Sequence, residues 1–209
     1  MVINKLLDAK KYYFTDTSFK LLMQKRIYHV LIICSNYDFF MLEEDGRIDE
    51  QIFNEYVSLN LRYPPRFIHA ADANSAFEIL HRENIDLIII MLSIGDPFIL
   101  AKKIKSKYPR KPIVVLTPFS REISLKIADN DILAIDYVFS WLGNAEILLA
   151  IIKLIEDKMN LAFDVEEVGV QVILLVEDSI RFYSSYLPNI YKIIFKQSRE
   201  FMTEGLNEH

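Results

Sequence analysis

The stretch DLIIIMLSIGD, residues 86–96, decides the fold class predicted for this chain. Aliphatic residues at 87–90 follow Asp86 and run without a polar interruption into Met91. A run so short and so apolar is typical of a strand buried on both faces, as in a parallel sheet covered by helices. Functional groups in such sheets gather beyond the carboxyl ends of the strands. Met91 is therefore expected at the place where chemistry would occur.

Similar apolar runs alternate with helical patterns along the chain. Further strands are predicted at 29–35, 67–71, 112–117 and 134–140. Apolar residues at helical spacing predict helices at 49–60, 74–82, 97–108, 120–130 and 144–160. Residues 36–48 are acidic and are expected to form a loop. The alternation predicts an α/β fold with a three-layer, doubly wound, five-stranded parallel sheet.

The chain is expected to have four parts. These are an N-terminal helical extension at 1–26, the sheet domain at 27–160, a linker at 161–171 and a strand-helix appendage at 172–209. The appendage opens with VILLVEDS, residues 172–179, which predicts a strand. A helical pattern follows from Ile180, and Pro188 is expected to kink or restart that helix. The unpaired strand at 172–176 is expected to pair with another chain or with the chain's own sheet.

Composition excludes several classes of protein. The net charge is −5 without a dense Lys/Arg cluster, so a nucleic-acid partner is not expected. The longest apolar runs are too short to span a bilayer, and the first residues lack the features of a signal peptide. The single cysteine, Cys34, excludes an internal disulfide framework and fits a reducing compartment. We therefore expect a soluble cytoplasmic protein without a membrane partner.

Neither a metal site nor a cofactor site is expected from the residue spacing. The four histidines show no ligand spacing, and LEEDGRIDE, residues 42–50, fails the calcium-loop template because Met41 would hold the first ligand position. A phosphate-cradling loop needs closely spaced glycines, and no two of the five glycines are close. An enzyme or nucleotide-binding domain on this fold is therefore disfavoured.

Four segments carry a resemblance to a known family. AADANSAFEIL (70–80), PIVVLTP (112–118) and IDYVFSW (135–141) resemble segments of the receiver domain of two-component response regulators, a CheY-like, flavodoxin-like fold. The resemblance covers residues 27–160. VILLVEDSIRFYSS (172–185) is similar to the opening of a receiver, which implies the start of a second, incomplete receiver. Glu177 and Asp178 would be its latent acid pair.

The resemblance also implies which chemistry the first unit has lost. In receivers, two acidic residues after the first strand bind a divalent cation. An Asp at the end of the third strand accepts the phosphoryl group, and a Lys follows the fifth strand. At these positions the chain has Cys34 and Ser35, Met91, and Ser140 followed by Trp141. Because metal ligands, acceptor and cation are replaced together, the resemblance implies a degenerate pseudo-receiver that is not phosphorylated by receiver chemistry.

Two positions match the family's conformational switch. Thr117 ends the predicted fourth strand, and Tyr137 stands at the switch-aromatic position. The alternative is structural, with Thr117 capping a strand and Tyr137 packing half-buried. Both interpretations remain open at this point.

The last predicted helix, 144–160, is apolar on more than one face. One stripe suits the core, and a second stripe is a candidate interface, since receivers commonly contact partners there. Deep burial of this stripe is the alternative. The interface candidates are Ile147, Ala150 and Leu154, together with Trp141.

The predicted function is a non-phosphorylatable regulatory module that binds proteins. Self-association through the last receiver helix or through 172–209 is one form that this binding could take. A second interpretation rests on YFTDTSFKLLMQKR, residues 13–26, ahead of tandem receiver-like units. That arrangement resembles the N-terminal region of phosphoenolpyruvate synthase or pyruvate phosphate dikinase-like proteins, which implies a regulatory or docking part for catalytic domains beyond residue 209.

Overall fold

The computed structural model describes residues 23–118, 133–143 and 145–207. The helix predicted at 120–130 and most of the predicted N-terminal helical extension lie outside these residues. Five strands form one parallel sheet in the order β2-β1-β3-β4-β5. They are β1 (His29–Ile33), β2 (Arg66–Ala70), β3 (Leu87–Met91), β4 (Ile113–Thr117) and β5 (Tyr137–Ser140). This order defines the doubly wound, flavodoxin-like fold and confirms the predicted fold class.

Six α-helices accompany the strands in the described residues. They are α1 (Asn36–Leu42), α2 (Ile48–Ser58), α3 (Ala73–Arg82), α4 (Pro97–Lys107), α5 (Glu146–Phe163) and α6 (Ile180–Asn207). A 3₁₀ turn, Leu92–Ile94, follows β3, and a π-helical turn, Asp164–Val168, extends α5. Asp72 and Asp96 cap α3 and α4 by accepting hydrogen bonds from backbone N–H groups of the first turn.

The central strands β3 and β4 are buried along their whole length, as the continuous aliphatic runs predict. One face of the sheet packs against α3 and α4 through Leu80, Leu100 and Ile104. Two carboxylates hold the amino ends of the strands. Asp86 Oδ2 accepts the N–H groups of Tyr28 and His29 at 2.9 and 3.0 Å.

Asp136 plays the corresponding part at the other side of the sheet. Its Oδ2 accepts the N–H of Ile113 at 2.9 Å and pairs with Lys105 Nζ at 2.9 Å. The carboxylates that open β3 and β5 therefore bond to backbone at the amino ends of the strands, opposite the edge where function is expected.

The prediction of a loop at 36–48 is wrong for its first half, which forms α1. Ser35 Oγ accepts the N–H of Asp38 at 3.1 Å and so caps the helix. The Phe39 ring stacks on the His69 ring of β2, with centroids 4.1 Å apart. The turn between α1 and α2 contains Gly46 at φ 121°, a conformation that favours glycine.

The prediction of a strand at 172–176 is also wrong. These residues have no regular secondary structure, and the side chains of Val172, Ile173, Leu174 and Val176 are exposed. A strand needs a neighbour for its backbone hydrogen bonds, and none of the described strands pairs with this segment. Its pairing with another chain stays a prediction.

The helix predicted from Ile180 is confirmed as α6, which continues through Pro188 as one helix of 28 residues. It packs on the edge strand β5. The N–H of Ser140 donates to Ser184 Oγ at 2.8 Å, and the rings of Phe139 and Tyr183 lie 5.7 Å apart. The assignment of this segment to a second receiver stays a prediction.

The chain divides into two compact units. Among the described residues, the first comprises 23–26 and 156–175, and the second comprises 27–118, 133–143, 145–155 and 176–207. In the first unit, the buried Asn160 accepts the N–H of Lys25 at 2.8 Å and donates to its carbonyl at 2.7 Å. The four-part division predicted from the sequence stays a prediction.

The serine that joins α6 to β5 provides a test of this packing. We expect Ser184→Ala to lower the free energy of unfolding by about 1–3 kcal/mol, because it leaves the buried N–H of Ser140 without its acceptor. Ser185→Ala, one residue further along the same helix, is the control and should change little. Urea unfolding of both variants measures the difference. Equal free energies of unfolding for Ser184→Ala and Ser185→Ala would contradict the packing of α6 on β5 through Ser184.

Candidate functional site

The sheet brings the predicted strand-end residues to one edge. In the register of the sheet, Ile33 pairs with Ile90 and Thr117 pairs with Ser140. Cys34 directly follows Ile33, and Met91 directly follows Ile90. Parallel strands end on the same side, so Cys34, Met91, Thr117 and Ser140 all lie at the carboxyl edge.

These four side chains are buried. Met91 is 5% exposed, and the other three are exposed by 2% or less. Burial and, to a lesser extent, the nearby Asp38 carboxylate raise the pKa of the Cys34 thiol to about 12. A buried thiol with a raised pKa is a poor nucleophile at neutral pH, so we expect Cys34 to serve as an apolar packing residue.

Ser35 and Trp141 have structural contacts next to this edge. Ser35 caps α1 with its hydroxyl, and its N–H donates to Ser93 Oγ at 3.1 Å. The N–H of Trp141 donates to the carbonyl of Thr117 at 2.8 Å and continues the pairing of β4 with β5. Both residues therefore make hydrogen bonds that belong to the local structure of α1 and of the β4–β5 pair.

Two residues that the sequence reasoning did not single out close the edge beside β1. His69 Nε2 donates to the carbonyl of Cys34 at 2.8 Å, which places the proton on that nitrogen. The Phe39 ring covers the His69 ring. The signal available in the sequence was the length of the β1–β2 connection, which exceeds what a crossover helix requires.

Tyr137, the predicted switch aromatic, is half-buried on β5. Its ring lies 6.1 Å from Phe139, and the Phe139 ring contacts Tyr183 of α6. Burial, and to a lesser extent the electrostatic interaction with Tyr137, raises the pKa of Tyr183. The chain of rings therefore links the predicted switch position to α6. The switch role itself stays a prediction.

The predicted interface residues differ in accessibility. Ile147 and Ala150 are buried inside the chain, whereas Leu154 and Trp141 are half-buried. The interface stays a prediction, and Leu154 and Trp141 are its more accessible members. Glu177 and Asp178 lie in the turn that precedes α6, where Glu177 Oε1 accepts the N–H of Ser179 at 3.0 Å.

Within residues 23–118, 133–143 and 145–207, no group of three or more His, Cys, Asp or Glu side chains is arranged to hold a metal ion. None of the helices among those residues combines the length and the apolar character needed to cross a membrane. The pair of positions that would carry metal ligands in a receiver holds a buried thiol and a helix-capping hydroxyl.

Known proteins resemble this chain in fold. No family model and no curated protein matches its sequence. The receiver domain of AraT from Geobacillus stearothermophilus is 21% identical, with a TM-score of 0.48 over 66% of this chain and 98% of that one. A CheY-like receiver from Methanospirillum hungatei is 18% identical, with a TM-score of 0.48 over 65% and 98%. A receiver from Pseudomonas fluorescens is 19% identical, with a TM-score of 0.44 over 67% and 94%.

The thiol provides a test of burial at the edge. A raised pKa means that Cys34 stabilises the fold below its unfolded value of about 9, and that this contribution is lost as the pH rises towards about 12. The free energy of unfolding should therefore fall more steeply over that range in the wild type than in Cys34→Val. Urea unfolding at several alkaline pH values compares the slopes. Parallel slopes would contradict the burial of the thiol.

Met91 provides a second test. Met91→Asp buries a carboxylate without a described cation beside it, and we expect a loss of about 3 kcal/mol or more at neutral pH. Because burial raises the pKa of such a carboxyl, part of the loss should be recovered as the pH falls and the group protonates. Met91→Leu keeps the volume and should cost less than about 1.5 kcal/mol. Equal stabilities of the two variants at neutral pH would refute an apolar site.

Proposed function

We propose that this chain is a receiver-like regulatory module that binds proteins and does not accept a phosphoryl group. The observation that carries the proposal is Met91, a buried thioether at the end of β3, where receivers have the acceptor Asp. A thioether cannot form an acyl phosphate, and Cys34, Ser35 and Ser140 offer no carboxylate or ammonium group to bind a cation or balance a phosphoryl charge.

The buried state of the edge supports the same proposal. Receiver chemistry needs a site that is open to a phosphodonor and to a hydrated cation. Cys34, Met91 and Thr117 are buried instead, and His69 with Phe39 covers the side next to β1. The chain keeps the strands of a receiver and has uncharged residues at the positions of its metal ligands, acceptor and cation. This combination suits a module that binds proteins through its surface.

A module of this kind has no catalytic residues of its own, needs no cofactor and acts on protein partners. The alternative predicted from the sequence is a docking part of a phosphoenolpyruvate synthase-like enzyme. In that role, too, this module would bind a protein and would not catalyse a reaction.

Phosphodonor treatment tests the proposal. The chain is incubated with acetyl phosphate and Mg²⁺, or with beryllofluoride and Mg²⁺, and its intact mass and amide spectra are recorded. We expect no phosphoryl adduct and no shifts clustered at Met91 and Thr117. A stoichiometric phosphoryl adduct, or shifts clustered at Met91 and Thr117, would overturn the proposal.

A further inference from the structure

The helices α1 and α2 present large apolar side chains to solvent. Tyr37, Phe40 and Met41 lie at i, i+3 and i+4 on α1, and Phe53 and Val57 lie at i and i+4 on α2. Residues at these spacings share one helix face. Phe40 is 68% exposed and Val57 is 61% exposed. We define residues 36–58, with these exposed faces, as the acidic apolar surface.

The negative charge of the chain is concentrated in the same segment. Residues 36–58 contain seven carboxylates and one arginine, a net charge of −6, whereas the whole chain has −5. All remaining residues together therefore carry +1. A local excess of this size produces a negative potential beside the exposed aromatic side chains.

Part of this charge is engaged in holding the surface together. Glu43 accepts the N–H of Ile48, Asp49 accepts the N–H of Phe67, and Glu55 pairs with Lys192 at 3.8 Å. Glu44 and Glu50, by contrast, are exposed. The turn between the helices is further fixed by Gln51, whose side-chain amide donates to the carbonyl of Gly46. The surface is thus pre-ordered, which lowers the entropic cost of binding.

We propose that the acidic apolar surface binds a basic amphipathic helix of a partner protein. An apolar helix face would cover the exposed rings and gain roughly 25 cal/mol for each Å² of apolar area removed from water. Lys and Arg side chains on its flanks would meet the carboxylates while their methylene stems add contact area. The inference rests on the proposed function, since it names the class of partner that the module binds.

Other occupants fit the surface less well. Nucleic acid and anionic lipid headgroups carry the same sign of charge as residues 36–58 and would be repelled. An acidic peptide would be repelled for the same reason. A second copy of the same surface would bring two net charges of −6 together. A helix that joins positive charge to an apolar face satisfies both features at once.

The apolar part of the surface is tested with a synthetic peptide. A fluorescein-labelled helix of roughly 18 residues, with Leu at i, i+3, i+4 and i+7 and Lys elsewhere, is titrated with the full chain. We expect saturable binding that Phe53→Ser weakens about tenfold, as for a buried aromatic anchor. Phe182→Ser on α6 is the matched control, because Phe53 and Phe182 are 54% and 53% exposed. Its affinity should equal that of the wild type.

The charged part is tested with the same peptide. Glu44→Gln combined with Glu50→Gln should weaken binding several-fold and reduce its dependence on salt. Glu166→Gln combined with Glu167→Gln removes the same charge from exposed positions outside the surface and should leave the affinity unchanged. Circular dichroism establishes that each variant is folded before its affinity is compared.

Three results would overturn the inference. These are a lack of saturable binding, equal losses in the surface variants and their controls, and a dimer of the chain in light scattering that Phe53→Ser dissociates. The last result would make a second copy the occupant. Failure of the inference remains separate from failure of the proposed function, since peptide binding does not depend on phosphodonor treatment and a phosphoryl adduct does not depend on Phe53.

Discussion

The structure depends on the burial of its central strands on both faces. β3 and β4 are buried along their length and carry one polar side chain, Thr117 at the end of β4, so polar groups act mainly at the two edges where the strands begin and end. At the amino edge, Asp86 and Asp136 bind backbone N–H groups. At the carboxyl edge, Cys34 directly follows β1 and Met91 ends β3, and neither side chain carries a charge at neutral pH.

The four residues at the carboxyl edge, Cys34, Met91, Thr117 and Ser140, have uncharged side chains. A carboxylate cluster at the carboxyl edge would repel itself unless a cation balanced it. A thiol, a thioether and two hydroxyl groups need no such balance and allow tight packing. Two backbone groups at this edge are bonded to uncharged side chains, since His69 donates to the carbonyl of Cys34 and Ser184 accepts the N–H of Ser140. Edge stability therefore comes from packing and neutral hydrogen bonds.

The periodicity of apolar residues was sufficient to predict most of the sheet and the helices α3 and α4, because that periodicity is a local property of the sequence. It failed at α1, where acidic composition resembles a loop, while the Ser35 cap and the contact of Phe39 with His69 stabilise a helix. It failed again at 172–176, because an apolar run predicts burial and cannot supply a pairing neighbour. For the candidate site, the predicted strand ends located Met91 and Cys34, whereas the sequence signalled His69 only through the length of the β1–β2 connection.

The sequence by itself determined that five apolar strands would alternate with helices, and that the strand ends would carry Cys34, Met91 and Ser140. Those properties follow from residue order and from the two-residue and 3.6-residue periods. Only the tertiary structure decided that α6 would pack on β5, that Phe39 would cover His69 and that the rings of Phe40 and Phe53 would remain exposed. These outcomes depend on contacts between residues far apart in the chain, which no local pattern encodes.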